Sequence, residues 1–426
     1  MATNIDTSRL TGFFKDRFGE NASALPSEGY DVLQKRIPFE TNLRLGEQIT
    51  EPVRMSHSTG WTFAGGATTG TMFALNSANS PLTVEAAWTS QEFVIRERTS
   101  WKALRAAQTS AQAFANHYDD MVKDMRDSSV FALEFSLLYG QASLGKVEAA
   151  ISGAGTSRVY SLTLASSTAG LWYKMQGALF DVYDATSGGS KINTNADVVI
   201  ASADLDDSSG KVYLSVTGNS TDLTAVDSGI AAGAYLIPKG AEGNMMPGLD
   251  KVATNTGSYA GINAGTYPLW QSTSLNASSA GATFSKFLHA LKKNRLKSGP
   301  GMRTAIISEA TTMDIVDNLA ALQRMVNKSG GKLELGGESV VFHSPGGSIE
   351  FLTHVLCKEG EAFLVDFGQL KRSGSVDFTF DPTGKGEYFE HVSGYAGLEL
   401  MGYWDQTLRV KKPASITKIT NIVNTY

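Results

Sequence analysis

From Ala111 to Phe135, mostly apolar residues recur at a spacing of three and four residues, which is the period of one helix face. The polar residues between them fall on the opposite side, and Gly140 is a typical residue to follow a helix end. The pattern predicts a helix of about 30 residues and about 45 Å. Its buried stripe consists of Ala111, Phe114, Ala115, Tyr118, Met121, Val122, Met125, Ser129, Ala132 and Phe135.

The same helix carries four aspartates, one glutamate and one histidine between His117 and Gly140. This content allows two interpretations, a metal-binding helix or the polar side of a structural helix. A carboxylate metal site would place its acids on the buried face, usually as Glu-x-x-His. The aspartates avoid the apolar stripe, and Glu134 has no histidine three residues later. The pattern therefore favours a structural helix whose acidic side faces solvent or a neighbouring subunit.

Residues 49–100 show strand character instead. Two long arms, EPVRMSHSTGWTFAG and LTVEAAWTSQEFVIRERTSW, flank a turn-rich tip, and the second arm alternates with period two around Phe93 and Ile95. A two-stranded ribbon has almost no core of its own and is marginally stable in water. We therefore expect this ribbon to lie on another subunit.

Residues 155–240 consist of short apolar runs with turn signals about every ten residues, which predicts an inserted all-β barrel or sandwich. Residues 241–275 are loop-like with aromatic anchors. After them, helical and strand patterns alternate: TFSKFLHALKKNRLKSG is helical, MRTAIISEA is a buried strand, and KKPASITKITNIV ends in a short strand. The predicted fold class is α+β.

The composition is that of a folded protein: 426 residues, 42% hydrophobic, with a net charge of −5. So mild a charge argues against a strong overall electrostatic grip on nucleic acid. The single cysteine, Cys357, excludes an intramolecular disulfide. The first residues lack the apolar run of a signal peptide, and no apolar run approaches the length of a membrane span.

Motifs of known chemistry are absent from the sequence. It contains no phosphate-binding loop, no G-x-S-x-G elbow and no HExxH pair, and no two of its six histidines stand at metal-ligand spacing. A catalytic dyad assembled from distant positions remains open. The basic run Lys292–Lys297 lies near a helix end, where it complements the helix dipole. We therefore expect no catalytic activity, cofactor or metal.

The order of the segments resembles that of the major capsid protein of tailed double-stranded DNA phages, the Hong Kong 97 fold. The resemblance rests on the segment order and on loose phrases, and it covers most of the chain except 155–240. The segments that carry it are LRLGEQITEPVRMS, FALEFSLLYG, GLDKVATNTGSYAGINAGTYPLWQS, RTAIISEA, TTMDIVDNLAAL and GLELMGYWDQTLRVKKPASITKITNI.

The resemblance implies a division of the chain into the parts of that fold. These are an N-terminal arm (1–48), an extended E-loop ribbon (49–100), a peripheral P-domain with a long spine helix (101–154), the inserted β subdomain (155–240), P-domain loops (241–275), an axial A-domain (276–380) and a return to the P-domain (381–426).

It also implies a function. The chain would self-assemble as hexamers and pentamers into an icosahedral shell that encloses DNA without sequence-specific binding. It would be assembled in the host cytoplasm, become part of the virion and bind no membrane. We expect contacts between subunits at Trp61, Phe63, Phe73, Arg96 and Arg98. A scaffolding, portal or decoration partner stays open. Because only about 48 residues precede the ribbon, either a scaffold would be a separate protein or none would be needed.

Some relatives of this kind lock their shells by isopeptide bonds between an E-loop lysine and an asparagine on a neighbouring subunit. No lysine occurs between Lys35 and Lys102, so the predicted E-loop lacks the amine nucleophile. Arginine cannot replace it, because its guanidinium stays protonated. We therefore expect the shell to be held by non-covalent contacts.

Three other functions remain as alternatives: an encapsulin-like cellular compartment, which would be distinguished by cargo loading; a secreted β-rich binding module, against which the missing signal peptide counts; and a metal-dependent enzyme built on the aspartate-rich helix.

Overall fold

A computed structural model describes residues 31–40, 48–63, 73–102, 111–206, 209–255, 257–326, 339–344, 347–381, 389–392 and 394–425, with side chains except at 111–120, 169, 318–326, 339–341, 343 and 344. The predicted N-terminal arm and the tip of the ribbon therefore lie mostly outside the described residues.

The helices within these ranges are α1 (Val32–Arg36), α2 (Ala111–Tyr139), α3 (Ala169–Lys174), α4 (Ser220–Gly229), α5 (Leu249–Ala253), α6 (Phe284–Ser298) and α7 (Glu309–Val326). The first eleven strands are β1 (Phe39–Glu40), β2 (Gln48–Arg54), β3 (Thr83–Thr89), β4 (Gln91–Ser100), β5 (Gly145–Val147), β6 (Ala149–Ser152), β7 (Ser157–Thr163), β8 (Leu179–Tyr183), β9 (Val198–Asp206), β10 (Lys211–Thr217) and β11 (Ala234–Pro238). The remaining strands are β12 (Ser258–Tyr259), β13 (Ile262–Asn263), β14 (Thr273–Ala280), β15 (Arg303–Ile307), β16 (Ser339–Ser344), β17 (Gly347–Thr353), β18 (Ala362–Val365), β19 (Leu370–Thr379), β20 (Phe389–His391), β21 (Gly397–Val410) and β22 (Thr417–Ile422).

The long helix predicted from the apolar period is confirmed as α2, which has 29 residues. Its stripe packs as expected where side chains are described, because Met121 and Met125 form a buried cluster with Leu400 of β21. The side chains of Phe114 and Tyr118 lie outside the described part. The helix therefore covers a sheet with the face that the sequence indicates.

That sheet contains β1, β4, β19, β20 and β21, with β21 at its centre. Strand β4 pairs with β21 along its full length, from Gln91 opposite Gln406 to Ser100 opposite Gly397. The expectation that the whole second arm belongs to the ribbon is therefore wrong: in the described part of the ribbon, β2 pairs with β3, and β4 is not included. The alternation of 91–100 suits a half-buried strand of a sheet as well as a ribbon strand, and the pairing with the distant β21 decides between them.

The insertion forms one antiparallel sheet in the order β5-β11-β8-β9-β10-β7-β6. The strands that are first and last in sequence, β5 and β11, are neighbours in this sheet: Gly145–Val147 pairs with Ala234–Leu236. The sheet thus starts ten residues before the predicted boundary at 155. The insertion is not all-β as expected, because Ala169–Lys174 and Ser220–Gly229 are helices. In the second, Asn219 accepts a hydrogen bond from the N–H of Thr221 and so caps the helix start.

A third sheet runs in the order β14-β22-β18-β15-β17-β16, and α6 packs on it through Phe284, Phe287 and Leu291. The last strand, β22, lies here between β14 and β18, although it was expected to return with β21 to the other sheet. Strand β14, which pairs in parallel with β22, begins inside the segment 241–275 that was expected to be loop-like. The mixture of helices and sheets is the predicted α+β class. None of the helices in the described ranges combines the length and apolar content needed to cross a bilayer.

Gly140 does more than end α2. A Cβ atom at Gly140 would lie 1.9 Å from the carbonyl oxygen of Met246, and one at Gly248 would lie 2.4 Å from the amide of Gly140. Gly248 also donates its N–H to the Gly140 carbonyl oxygen over 2.9 Å. The two glycines therefore let the chain after the insertion cross directly over the helix end, which brings α5 against α2.

Candidate assembly surface

The ribbon is fixed to the rest of the subunit at its base. Trp88 of β3 is 2% exposed and donates its indole N–H to the Tyr259 hydroxyl over 3.1 Å. Tyr259 in turn donates to the carbonyl oxygen of Leu408 and accepts from the N–H of Val410, both over 2.9 Å. One tyrosine hydroxyl thus links the ribbon to the end of β21.

A buried arginine adds a second anchor. The guanidinium of Arg409 binds Glu51 of β2 at 2.9 Å and also binds Glu40 of β1. Its central carbon lies 6.0 Å from the centre of the Trp88 ring. Because Arg409 is buried, these two carboxylates neutralise a charge that would otherwise be costly to place there. The base of the ribbon is therefore held in one orientation.

Beyond the strand ladder the two arms stay side by side through side-chain hydrogen bonds. The N–H of Leu82 donates to the Ser56 hydroxyl over 2.8 Å, and the Ser58 hydroxyl donates to the Asn79 carbonyl oxygen over 2.7 Å. Further out, the Asn76 amide donates to the Trp61 carbonyl oxygen over 2.7 Å. Hydrogen bonds of serine and asparagine side chains here take the place of regular backbone hydrogen bonds, so the ribbon continues beyond the ladder as an ordered two-stranded extension.

This extension presents large apolar side chains to solvent. The exposed fractions are 65% for Trp61, 89% for Phe63, 57% for Phe73, 77% for Leu75 and 47% for Leu82. We call these five residues the ribbon patch. The ribbon is only two strands wide, so its own residues cannot cover its two faces. Contiguous exposed apolar surface on a folded protein marks a contact with another molecule.

The two arginines expected to contact a neighbour lie elsewhere. Arg96 and Arg98 belong to β4 in the central sheet, and both face Glu399 of β21 in the same chain. Arg98 donates to that carboxylate over 2.8 Å, while Arg96 lies at 3.7 Å and is 59% exposed. The predicted set therefore does not form one surface: the three aromatics share the ribbon patch, and the arginines are separate from it. A role for the arginines between subunits stays a prediction.

Sequence reasoning missed several residues of this region. Leu75 lies in the run that was interpreted only as a turn-rich tip, and Leu82 begins the second arm, where no contact role was assigned to it. Tyr259 and Arg409, which anchor the ribbon base, are far from it in sequence. The large apolar side chains of Leu75 and Leu82 in a polar run could have indicated a contact surface. For Tyr259 and Arg409, the neighbouring sequence contains no such indication.

The aspartate-rich helix offers no alternative metal centre within the described side chains, where no cluster of three or more potential ligands occurs. Asp124 and Asp127 are exposed, and the side chains of His117, Asp119 and Asp120 lie outside the described part. One acid departs from the expected pattern, because Glu134 is fully buried. It binds backbone amides of α1 and the ring of His354, so its role is structural.

The lone thiol is also unsuited to chemistry. Cys357 is 1% exposed, and burial, helped by the charge of Glu361, raises the pKa of its thiol to about 12. The thiolate, which is the nucleophilic form, is therefore negligible at neutral pH. This agrees with a small buried core residue.

Solved structures align with this chain over nearly its full length. A chain of the cyanophage A-1(L) capsid asymmetric unit aligns with a TM-score of 0.53 at 11% identity, covering 98% of this chain and 99% of that one. The capsid of the native GTA particle, computed with C5 symmetry, gives 0.48 at 9% identity, covering 99% and 100%. A chain from Mycobacterium phage Bobi gives 0.47 at 9% identity, covering 98% and 99%.

No family model and no curated protein matches the sequence. At such low identity the cyanophage structure establishes the fold, and the fold is that of a phage capsid protein. The α+β capsid fold expected from the order of the segments is thus confirmed.

Proposed function

We propose that this chain is a major capsid protein, a structural and non-catalytic subunit that assembles into the icosahedral shell around the double-stranded DNA genome of a tailed phage. The observation that carries the proposal is the ribbon patch: an ordered apolar extension, anchored rigidly at its base, on a chain with a phage capsid fold. Such an extension needs a partner surface, and repeated copies of the same chain supply one in a closed shell.

In the proposed shell each ribbon lies across a neighbouring subunit, and the subunits form hexamers and pentamers. The five-stranded sheet with α2 corresponds to the peripheral domain, and the six-stranded sheet with α6 and α7 to the axial domain. The seven-stranded insertion leaves the chain and returns to it at adjacent strands, so it can project from the shell without disturbing the rest. The packaged DNA is held without sequence-specific contacts, and the particle is assembled in the host cytoplasm. Any scaffolding, portal or decoration partner is a separate protein.

The test is assembly of the purified full-length chain, followed by sedimentation and negative-stain microscopy. We expect closed shells from the wild type and from Ile151→Ser, an exposed apolar residue of the insertion that serves as the matched control. The double variant Trp61→Ser, Phe63→Ser should remain as folded, unassembled subunits, because both side chains are exposed in the single chain and are not needed for its core.

Shells from the double variant that match the wild type would contradict the role of the ribbon patch. Wild-type chains that stay monomeric under all assembly conditions, including co-expression with a scaffolding protein, would contradict the capsid function itself. Shells that enclose a specific host protein as cargo would instead indicate an encapsulin-like compartment.

A further inference from the structure

Two lysines and two acids lie together in the interior, where α5 meets the six-stranded sheet. Lys418 of β22 donates a hydrogen bond from Nζ to Oδ1 of Asp250 in α5, and the same Nζ lies 2.7 Å from Oε1 of Glu361. The side chains of Lys418, Asp250 and Glu361 are 10%, 8% and 18% exposed. Lys418 also lies 5.7 Å from the centre of the Phe363 ring. The amine is thus enclosed by two carboxylates and an aromatic wall.

The second lysine completes the charge balance. Lys358 is buried, donates from Nζ to the Ser143 carbonyl oxygen over 2.8 Å and lies 4.3 Å from the centre of the Tyr139 ring. Two cations therefore face two carboxylates with little solvent around them. Lysines are rarely buried, and an ion pair of this kind contributes little net stability over a packed apolar pair.

We propose that Lys418 and Asp250 become joined by an intramolecular amide bond in the folded chain, with Glu361 as the group that moves the protons. The Nζ atom attacks Cγ of Asp250, a carbon–nitrogen bond forms, and a carbon–oxygen bond of the carboxyl group breaks. An ammonium and a carboxylate are consumed, and one neutral amide and one water molecule are produced. No oxidant, metal or other reactant is needed.

The arrangement supplies each requirement of this reaction. The nucleophile and the carboxyl group are already in hydrogen-bond contact, so the entropy of bringing them together has been lost on folding. Transfer of one proton along the existing Lys418–Asp250 hydrogen bond gives a neutral amine and a neutral acid without changing the net charge. Burial lowers the free-energy cost of reaching this neutral pair from the ion pair, because it penalises both charges.

Glu361 is placed to act as the acid–base group. Its Oε1 can accept the second proton of the attacking amine, and its Oε2 is buried without a hydrogen-bond partner among the described residues. That proton can then pass to the departing hydroxyl, which leaves as water. Burial by itself lowers the pKa of Lys418, but Asp250 and Glu361 outweigh burial and raise it. The resting state is therefore the ion pair, and the internal proton transfer has to precede the attack.

The product keeps the interior electrically balanced, since Lys358 and Glu361 remain as one cation and one anion. The bond would tie α5 to β22 across 168 residues of sequence. Strand β22 lies inside its sheet, between β14 and β18, so the bond would prevent the C-terminal strand from being pulled out. Because it lies within one chain, it forms no multimers and is independent of the proposed function.

The test is the intact mass of the full-length chain, unfolded after incubation in its folded state at neutral pH. We expect a mass below that of the sequence by one water molecule, and a branched proteolytic peptide that contains both Asp250 and Lys418. Lys418→Arg and Glu361→Gln should have the full mass, because the first removes the nucleophile and the second the proton acceptor. Asp250→Asn should lose one ammonia molecule instead of water, since an amide is then the group attacked.

The matched control is Lys191→Arg. Lys191 also pairs with a buried aspartate, Asp181, at 2.6 Å, but no second carboxylate of the described residues forms an ion pair with it. This variant should therefore still lack one water. A wild-type chain with the full mass overturns the proposal. So does a Lys418→Arg variant that still lacks one water, which would indicate ring closure at an aspartate instead of a cross-link. If Glu361→Gln does not fold, the Asp250→Asn mass and the branched peptide decide the matter.

Discussion

His354 lies against Glu134 in the interior, with Nε2 of the ring 3.1 Å from Oε2 of the carboxylate. The Nδ1 atom accepts the N–H of Leu356 over 3.2 Å, so the ring proton is on Nε2 and is donated to Glu134. The carboxylate also accepts the N–H groups of Leu33 and Gln34, over 3.2 and 2.9 Å. One side chain of α2 therefore caps the start of α1 and fixes the chain after β17.

Removal of this carboxylate should be costly. Glu134→Ala leaves buried amide and imidazole donors without an acceptor, so we expect a loss of about 3 kcal/mol in the free energy of unfolding. The matched control on the same helix is the exposed Asp127→Ala, which should change that free energy by less than about 0.5 kcal/mol. Denaturant unfolding of unassembled subunits measures both. Equal effects of the two substitutions would show that the capping contact is not stabilising.

Stability should depend on pH through Glu97. Burial, together with the charge of Asp124, raises the pKa of Glu97 from 4.5 to about 7. Between these values the folded chain holds a proton that the unfolded chain has released, so this stabilisation is present at pH 4.5 and is lost as the pH rises through 7. Because the group is part-exposed, solvent screening limits the loss to about 1 kcal/mol.

The comparison of Glu97→Gln with wild type isolates this contribution. The variant should be more stable than wild type at pH 8 and similar to it at pH 5, as measured by denaturant unfolding at both pH values. The exposed Glu85→Gln should follow the wild type at both. A Glu97→Gln variant that loses stability at pH 8 would mean that the carboxylate has a partner and is favoured in its charged form.

The ribbon should change its accessibility on assembly. Limited proteolysis near Gly65–Gly70, which lie outside the described residues, should be at least about tenfold faster in unassembled subunits than in shells. The reason is that the ribbon can rest on a neighbour only in the particle. Fragment masses over time measure the two rates, and equal rates would count against the capsid function.

Mature particles should contain no covalent multimers. No lysine occurs between Lys35 and Lys102, the stretch that contains the ribbon, so an amine nucleophile is missing there. Boiling in detergent should release a single band near the monomer mass of 45.5 kDa, whether or not Lys418 and Asp250 are joined within each chain. A ladder of multimers resistant to boiling and to reductant would show that another lysine cross-links the subunits.

The sequence by itself determined the features that depend on local periodicity. The spacing of apolar residues predicted α2 and its buried stripe through Met121 and Met125; the capsid fold, by contrast, was implied by the resemblance of the segment order to a known family. The exposed aromatics of the ribbon followed from strands too few to form a core. These predictions succeed because a helix face or a strand alternation is set by neighbouring residues.

The tertiary structure alone decided which strands pair and which charges meet. Period-two alternation could not tell that 91–100 joins β21 in place of the ribbon, because either partner gives the same pattern. Glu134 looked like one more acid of a polar helix, and Lys418 like an ordinary strand residue, until the fold brought His354, Asp250 and Glu361 to them. Contacts between residues as far as 220 positions apart in sequence have no local signature, since they arise only where separate elements pack together.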